Sequence, residues 1–360
     1  MNDMTVLIPS YEPTGKLLEL IEKIKGGTNY NILIVDDGSG EAYSGVFKTA
    51  ENLGCIVITH NQNKGKGAAL KTGFSYLHDF CPGENAVCAD SDGQHCIDDI
   101  IKIAECMNED ASAKENSNVN EMILGVRTFD NDVPFKSKFG NRVTSFLFSI
   151  ASGISLSDTQ TGLRAYPFSM FEWLIKQKGE RFEYELNLLL ESKSAGISIK
   201  QIHIRTIYEN ANKSTHFRPL ADSARVLAPI FKFFIKYGAS SFTSAVIDFI
   251  LLFAFQKLIG SLFFSVFLAR IISSTYNYTV NRLIVFNAKK IPNKQSAPRY
   301  FLLAAAVMLL NYSLLKFLTA VLGIYDITAK ILTELILVIL TYSVQRLYVF
   351  NREHLKRGKD

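Results

Sequence analysis

Ala86-Val87-Cys88-Ala89-Asp90-Ser91-Asp92-Gly93-Gln94 joins a short apolar run to two carboxylates spaced one residue apart. An apolar run of this length, bounded by turn formers, reads as a buried strand. A strand ending in Asp-x-Asp holds hard oxygen ligands at a sheet edge. Mg²⁺ or Mn²⁺ takes such ligands, through one or two carboxylates plus the phosphate oxygens of a substrate. Asp, Ser and Gly are also turn formers, so the same residues read as a solvated turn. The neighbouring segments decide what kind of sheet the strand belongs to.

Strand and helix patterns alternate around it. Thr5–Ile8, Asn31–Val35 and Cys55–Ile58 are strand-like, and Lys16–Lys25 and Ala68–Leu77 have helical spacing. Short apolar strands separated by amphipathic helices predict a Rossmann-like, mostly parallel α/β sheet covered on both faces. Ligands of such sheets bind beyond the carboxyl ends of the strands. Three polar clusters fall there: Pro9-Ser10-Tyr11-Glu12, Asp36-Asp37-Gly38-Ser39 and the Asp90 run. An acidic pair such as Asp36 and Asp37 can accept hydrogen bonds from a ribose and a base. Asn63-Lys64-Gly65-Lys66-Gly67 opens a helix with glycines and lysines, a place that favours phosphate. It lacks the preceding strand and following Ser or Thr of a P-loop. Turn chemistry and an ordinary helix start remain alternatives for both clusters. The polar stretch Ala111–Asn120 reads as a surface loop.

The chain has 360 residues and a net charge of +5, with no basic tract interleaved with aromatics, which argues against nucleic acid as a partner. Cys55, Cys81, Cys88, Cys96 and Cys106 show no Cys-x-x-Cys spacing and read as free thiols of a reducing compartment. The N-terminus runs straight into a strand, so no cleaved signal peptide is expected.

Beyond Leu227 the composition turns apolar and aromatic. Tyr237–Ile259, Leu262–Phe286, Tyr300–Leu322 and Ala329–Val349 each have the roughly 20 residues that cross a bilayer. The expected organisation is a soluble domain over 1–227, a basic-aromatic juxtamembrane linker over 228–236, a four-helix transmembrane domain over 237–351 and a basic tail over 352–360. Lys289, Lys290, Lys294 and Arg299 follow the second segment, and Arg352, Lys356, Arg357 and Lys359 follow the fourth. Positive charge there puts both termini and the soluble domain on the cytosolic side. Asn277-Tyr278-Thr279-Val280-Asn281-Arg282-Leu283-Ile284-Val285-Phe286-Asn287 matches Thr341-Tyr342-Ser343-Val344-Gln345-Arg346-Leu347-Tyr348-Val349-Phe350-Asn351, which predicts a tandem of two helical hairpins. Asp248, Arg270, Lys316 and Glu334 lie in or near the spans, either as a polar path or as charges that fix helix register. Phe135–Phe148 sets bases and aromatics at helical spacing, as a helix lying in a headgroup plane does, or an ordinary surface helix. Arg225–Tyr237 is a second run of this kind.

The order of motifs resembles the family 2 glycosyltransferases of GT-A fold, and among them the polyprenyl-phosphate glycosyltransferases. It runs Ile8-Pro9-Ser10-Tyr11-Glu12, Val35-Asp36-Asp37-Gly38-Ser39, Asn63-Lys64-Gly65-Lys66-Gly67, Asp90-Ser91-Asp92-Gly93-Gln94, Gly125-Val126-Arg127 and Asp158-Thr159-Gln160-Thr161-Gly162-Leu163-Arg164. The second half resembles GtrA-type four-helix membrane proteins. The resemblance implies that Pro9, Tyr11, Glu12, Asp36, Asp37, Lys66, Asp90 and Ser91 bind a nucleotide sugar, with Lys213 and Ser214 closing over it. It implies Mg²⁺ or Mn²⁺ on Asp90, Asp92 and Gln94, and an acceptor phosphate on Arg127 and Arg142. Asp92, Arg127 and Arg142 would then carry catalysis. It further implies transfer to undecaprenyl or dolichyl phosphate at the membrane, with a homo-oligomer or envelope-glycosylation partners. After Gln94, His95 keeps the histidine of the His-and-proline continuation frequent in that family, and Cys96 departs from it. A processive polysaccharide synthase is the alternative enzyme, weakened by the missing Gln-x-x-Arg-Trp site. A transport or scaffold protein acting through the membrane half is the alternative of another class.

Overall fold

The computed structural model describes residues 4–113, 120–127, 135–205, 219–289 and 291–350. The chain divides into two compact units, Met1–Pro229 and Ile230–Asp360.

The first unit is built on strands β1 (Met4–Ser10), β2 (Asn31–Asp36), β3 (Ile56–Thr59), β4 (Asn85–Cys88), β5 (Glu121–Arg127), β6 (Arg164–Tyr166) and β7 (Ser198–Ile204). They form one sheet in the order β3-β2-β1-β4-β6-β5-β7. Every residue of β1 is buried, because β2 and β4 flank it and helices cover both faces. Helix α1 (Lys16–Gly27) packs Leu17, Leu20, Ile21 and Ile24 on the sheet. That spacing of three and four is the apolar stripe of an amphipathic helix, and each buried Leu or Ile contributes roughly 1.5–3 kcal/mol. Next come α2 (Ser44–Asn52), α3 (Lys66–Phe80), α4 (Ile97–Ala113), α5 (Phe135–Ser152), α6 (Phe171–Lys176) and α7 (Glu183–Ala195). The stretch expected as a loop from Ala111 begins instead as the last turn of α4. Ala111 and Ala113 have the strongest helix propensity of any residue type and prolong it.

Strand β6 runs antiparallel to both of its neighbours, β4 and β5. Its amino end therefore reaches the edge where β1, β2, β4 and β5 end. That reversal delivers the Asp158–Leu163 segment to the crevice. The alternating strand and helix pattern could not announce it, because β6 is only three residues long.

The second unit continues α8 (Pro219–Ile259) and adds α9 (Leu262–Val280), α10 (Asn293–Lys316) and α11 (Asp326–Val344), the last three each running on into a π turn. The stretch 228–236 expected as a linker is part of α8, which holds Pro229 at the unit boundary. Among the described residues three helices are long and apolar enough to cross a membrane: Leu227–Ile259, Asn293–Val321 and Asp326–Val349. The segment Leu262–Phe286 is helical too, but Arg270, Ser273, Thr275 and Asn277 lower its hydropathy.

Matching positions of the two proposed repeats are buried alike: Ser265 and Ala329, Ala269 and Thr333, Tyr278 and Tyr342, Asn281 and Gln345. Asn281 Nδ2 donates to Gln345 Oε1 at 3.0 Å. Tyr278 stacks on Phe350 while Tyr342 packs on Phe286, and Phe286 meets Phe350. Crossed contacts between equivalent residues are those of a pseudo-two-fold axis. Small and polar residues line helix contacts in a membrane, where apolar surface gains nothing by leaving lipid. Three of the four charges in or near these helices, Asp248, Arg270 and Glu334, are paired. Arg270 lies 3.5 Å from Asp248, which also accepts a bond from Ser273, and Glu334 is held by Lys330 at 2.7 Å and by Asn311. These bonds tie α8 to α9 and α10 to α11, as the register reading expects.

Candidate active site

Strand β4 ends at Cys88, and Ala89 then places Asp90 over the sheet edge. The Asp90 carboxylate is half-buried and engaged on both oxygens. Lys66 Nζ lies 2.6 Å from Oδ1, and His95 Nε2 lies 3.4 Å from Oδ2. A β carbon on Gly162 would overlap the carboxylate, so the residue entering β6 must be glycine for the two segments to meet. The same ammonium is 2.9 Å from Glu185 Oε2 on α7. Burial alone would raise the Asp90 carboxyl, but Lys66 and then His95 outweigh it and hold it well below the usual range. Burial likewise disfavours the Lys66 ammonium, and its two carboxylates overcome that. Asp92 shifts the other way: burial and the neighbouring Asp90 charge push its carboxyl up. Its Oδ1 accepts the Gln94 N–H at 3.1 Å, and Ser91 sits half-buried between the two acids.

The acidic pair at the end of β2 braces the protein's own turns. Asp36 Oδ1 accepts bonds from Ser39 N and Oγ, at 2.9 and 2.6 Å. Ser39 Oγ in turn accepts the N–H of Glu12, whose φ is 48°. Asp37 accepts from Lys64 N at 2.9 Å and Gly65 N at 2.7 Å, and His60 Nδ1 lies 2.8 Å away. The loop at Asn63–Gly67 therefore differs from a bare phosphate cradle. Two of its N–H groups point at Asp37, and Ala68 N donates to Glu180 O. Pro9 is buried in β1, and Tyr11 and Glu12 are half-buried beyond it.

Arg127 closes β5. Its Nε and Nη2 donate to the two oxygens of fully buried Asp158, at 2.6 and 3.0 Å. A fork of this kind fixes the guanidinium plane. Arg142 is exposed on α5, beside Asn141, whose Nδ2 donates to Ser157 O. Lys213 and Ser214 lie outside the described residues. Thus the structure gathers Asp90, Asp92, Gln94 and Lys66 in one cluster and sets Arg127 at the same edge. Three contributors carried no sequence signal of their role. Glu185 is one of several acids opening α7, Asp158 stands in a motif that does not point to its partner, and buried Arg164 donates to the carbonyls of Thr161 and Glu185.

The Glycosyl transferase family 2 model matches residues 5–171, and the GtrA/DPMS transmembrane domain model matches 236–350. A dolichyl-phosphate N-acetylglucosaminyltransferase of Methanococcus voltae that uses UDP-N-acetylglucosamine is 31% identical over 218 residues, 56% of this chain and 85% of that protein. The chain belongs to glycosyl transferase family 2. This family 2 enzyme also resembles an undecaprenyl-phosphate 4-deoxy-4-formamido-L-arabinose transferase of Proteus mirabilis, at 26% identity over 46% of this chain and 49% of the relative. A glucosyl-3-phosphoglycerate synthase of Mycobacterium tuberculosis, solved with Mn²⁺, UDP and product, aligns with a TM-score of 0.47 at 14% identity, over 64% of this chain and 79% of its own. The first unit of the glycosyltransferase is its GT-A domain, and the second is its membrane domain.

A GT-A site implies a divalent cation. Among the described residues no cluster of three or more His, Cys, Asp or Glu side chains would hold one alone. Two carboxylates are nevertheless presented together, and a protein cation already lies on one of them. The donor set fits a cation that shares its ligands with a diphosphate, the usual habit of Mg²⁺.

Proposed function

We propose that this glycosyltransferase moves a hexose from a UDP- or GDP-linked donor to a polyprenyl phosphate, with inversion and with Mg²⁺ or Mn²⁺, at the cytosolic face of the membrane. The observation that carries the reading is the presence in one chain of a family 2 crevice, with Asp90, Asp92 and Arg127 at its edge, and a GtrA/DPMS transmembrane domain. An acceptor delivered by a bilayer suits that pairing. Undecaprenyl and dolichyl phosphate offer the same headgroup, so the chemistry is common to both.

Asp90, Asp92 and Gln94 would hold the cation, which when bound stabilises the negative charge of the departing diphosphate. A phosphate monoester has a second pKa near 6 and is largely dianionic at neutral pH. Its oxygen attacks the anomeric carbon without a general base. Arg127, aimed by Asp158, and Arg142 orient that phosphate through bidentate donation. Pro9, Tyr11, Glu12 and Ser91 shape the donor side, where Asp36 and Asp37 brace the loops. One displacement inverts the anomeric centre. Four helices cross the membrane in this reading, and both termini are cytosolic.

The test uses the full chain in nanodiscs with radiolabelled nucleotide sugars, polyprenyl phosphate and Mg²⁺ or Mn²⁺. The expected product is a labelled lipid with the anomeric configuration opposite to the donor's. No transfer to lipid from any donor would refute the reading, and a retained configuration would refute the single displacement.

A further inference from the structure

The ammonium of Lys66 is clamped between Asp90 Oδ1 and Glu185 Oε2. The backbone enforces the position. Lys66 is the first residue of α3, and a β carbon on Gly65 or Gly67 would strike Glu180, Arg181 or Tyr184. The start of α3 is thus pressed onto the turn that opens α7 and carries Glu185. Two carboxylates, those of Asp90 and Glu185, hold this one ammonium, with His95 more distant on Asp90, Asp92 two residues further along the turn, and Arg164 donating to the Glu185 carbonyl. Three acids thus face two permanent cations, and the cluster keeps a negative excess that draws a further cation.

We propose that Lys66 is a resident counter-cation, which occupies Asp90 until donor and metal arrive and then leaves it for Glu185 and the donor diphosphate. This rests on the metal reading of Asp90 and Asp92 given above. Lysine suits the task, being a compact charge on a flexible four-carbon stem with three rotatable donors. Glu185 is then a positioning residue, a second anchor that keeps the ammonium within reach after it gives up Asp90. The consequence is linkage. Metal alone must displace the ammonium, whereas metal with a nucleoside diphosphate supplies the ammonium with a new partner. Cation and nucleotide therefore bind cooperatively.

Mn²⁺ uptake by the full-length protein, followed by the paramagnetic resonance of free Mn²⁺, tests this without turnover. It is measured with Mn²⁺ alone and with UDP or GDP added. In the unmodified protein the nucleotide that binds should tighten Mn²⁺ by about tenfold or more, the scale of a typical coupling between sites. Lys66→Met should bind Mn²⁺ alone about tenfold more tightly, because the competing charge near Asp90 is gone. Its added gain from nucleotide should be small. Glu185→Gln leaves Lys66 on Asp90 alone, so Mn²⁺ without nucleotide should bind severalfold more weakly. A folded Lys66→Met protein that binds Mn²⁺ alone no more tightly than the parent overturns the proposal. If thermal melting shows that Lys66→Met does not fold, Glu185→Gln decides, and unchanged or tighter binding overturns it. A parent protein that takes up no Mn²⁺ with either nucleotide refutes the metal reading itself, and the proposal falls with it.

Discussion

Arg127 Nε lies 2.6 Å from Asp158 Oδ2, and the fork is completed by Nη2 at 3.0 Å from Oδ1. The acid is fully buried and the arginine side chain nearly so, so the pair fixes a cation at the sheet edge at little entropic cost on binding. Asp158→Asn keeps one acceptor and removes the charge. The acceptor's KM should rise about tenfold or more, the scale for weakening a charge-assisted bond, with donor binding unchanged. Steady-state kinetics with polyprenyl phosphate varied at saturating donor will show it. An unchanged KM would remove Arg127 from the acceptor site.

Asp92→Ala should lower transfer by at least about a thousandfold, the order lost when a principal electrostatic stabiliser is removed. Membrane insertion and the thermal transition should be kept, since among the described residues Asp92 makes only the local bond to Gln94 N. Retained activity would dismiss Asp92 as a metal ligand.

Gly162→Ala inserts a methyl group against the Asp90 carboxylate. Overpacking of this kind costs typically 1–3 kcal/mol. Activity should fall sharply, with a measurable drop in Tm, although no reacting group has been altered. A fully active, equally stable variant would mean that the β6 entry and Asp90 are not in contact.

Burial pushes the Cys88 and Cys55 thiols up, so at pH 8 both stay protonated and out of reach of reagents. Native-state alkylation followed by peptide mass mapping should label half-exposed Cys96 well before either. Raising the pH should speed Cys88 little until the protein unfolds.

In the membrane unit, Asn281→Leu removes the donor to both Gln345 and Asn277. Bonds between helices in lipid contribute about 0.6 kcal/mol on average and up to about 2, so a modest loss of thermal stability in detergent is expected. A double-mutant cycle with Gln345→Leu should give a coupling of that size. Strict additivity would place the two side chains apart.

Much of the crevice was legible from sequence because it rests on strand ends. A buried strand announces itself by its apolar run, and whatever polar residues follow must stand at the edge, as Asp36 and Asp90 do. What the chain could not disclose is how those residues are spent. Asp37, which the sequence offers to a nucleoside, also caps Lys64 and Gly65 in space. Glu185 is separated by more than a hundred residues from the lysine it neutralises, and no local pattern records that pairing. The same holds for β6, whose reversal depends on pairing with β4 and β5 rather than on its own three residues.

The hydrogen bond between Asn281 and Gln345, with the crossed Tyr278–Phe350 and Tyr342–Phe286 contacts, speaks to ancestry. A surface that joins equivalent positions is one that two identical hairpins could have made with each other. It is the surface that a homodimer of one hairpin, fused head to tail and allowed to diverge, would leave. Asparagine on one side and glutamine on the other is the trace of that freedom. Once joined, each half is free to change its charges independently, and Arg270 and Glu334 hold matching places with opposite sign.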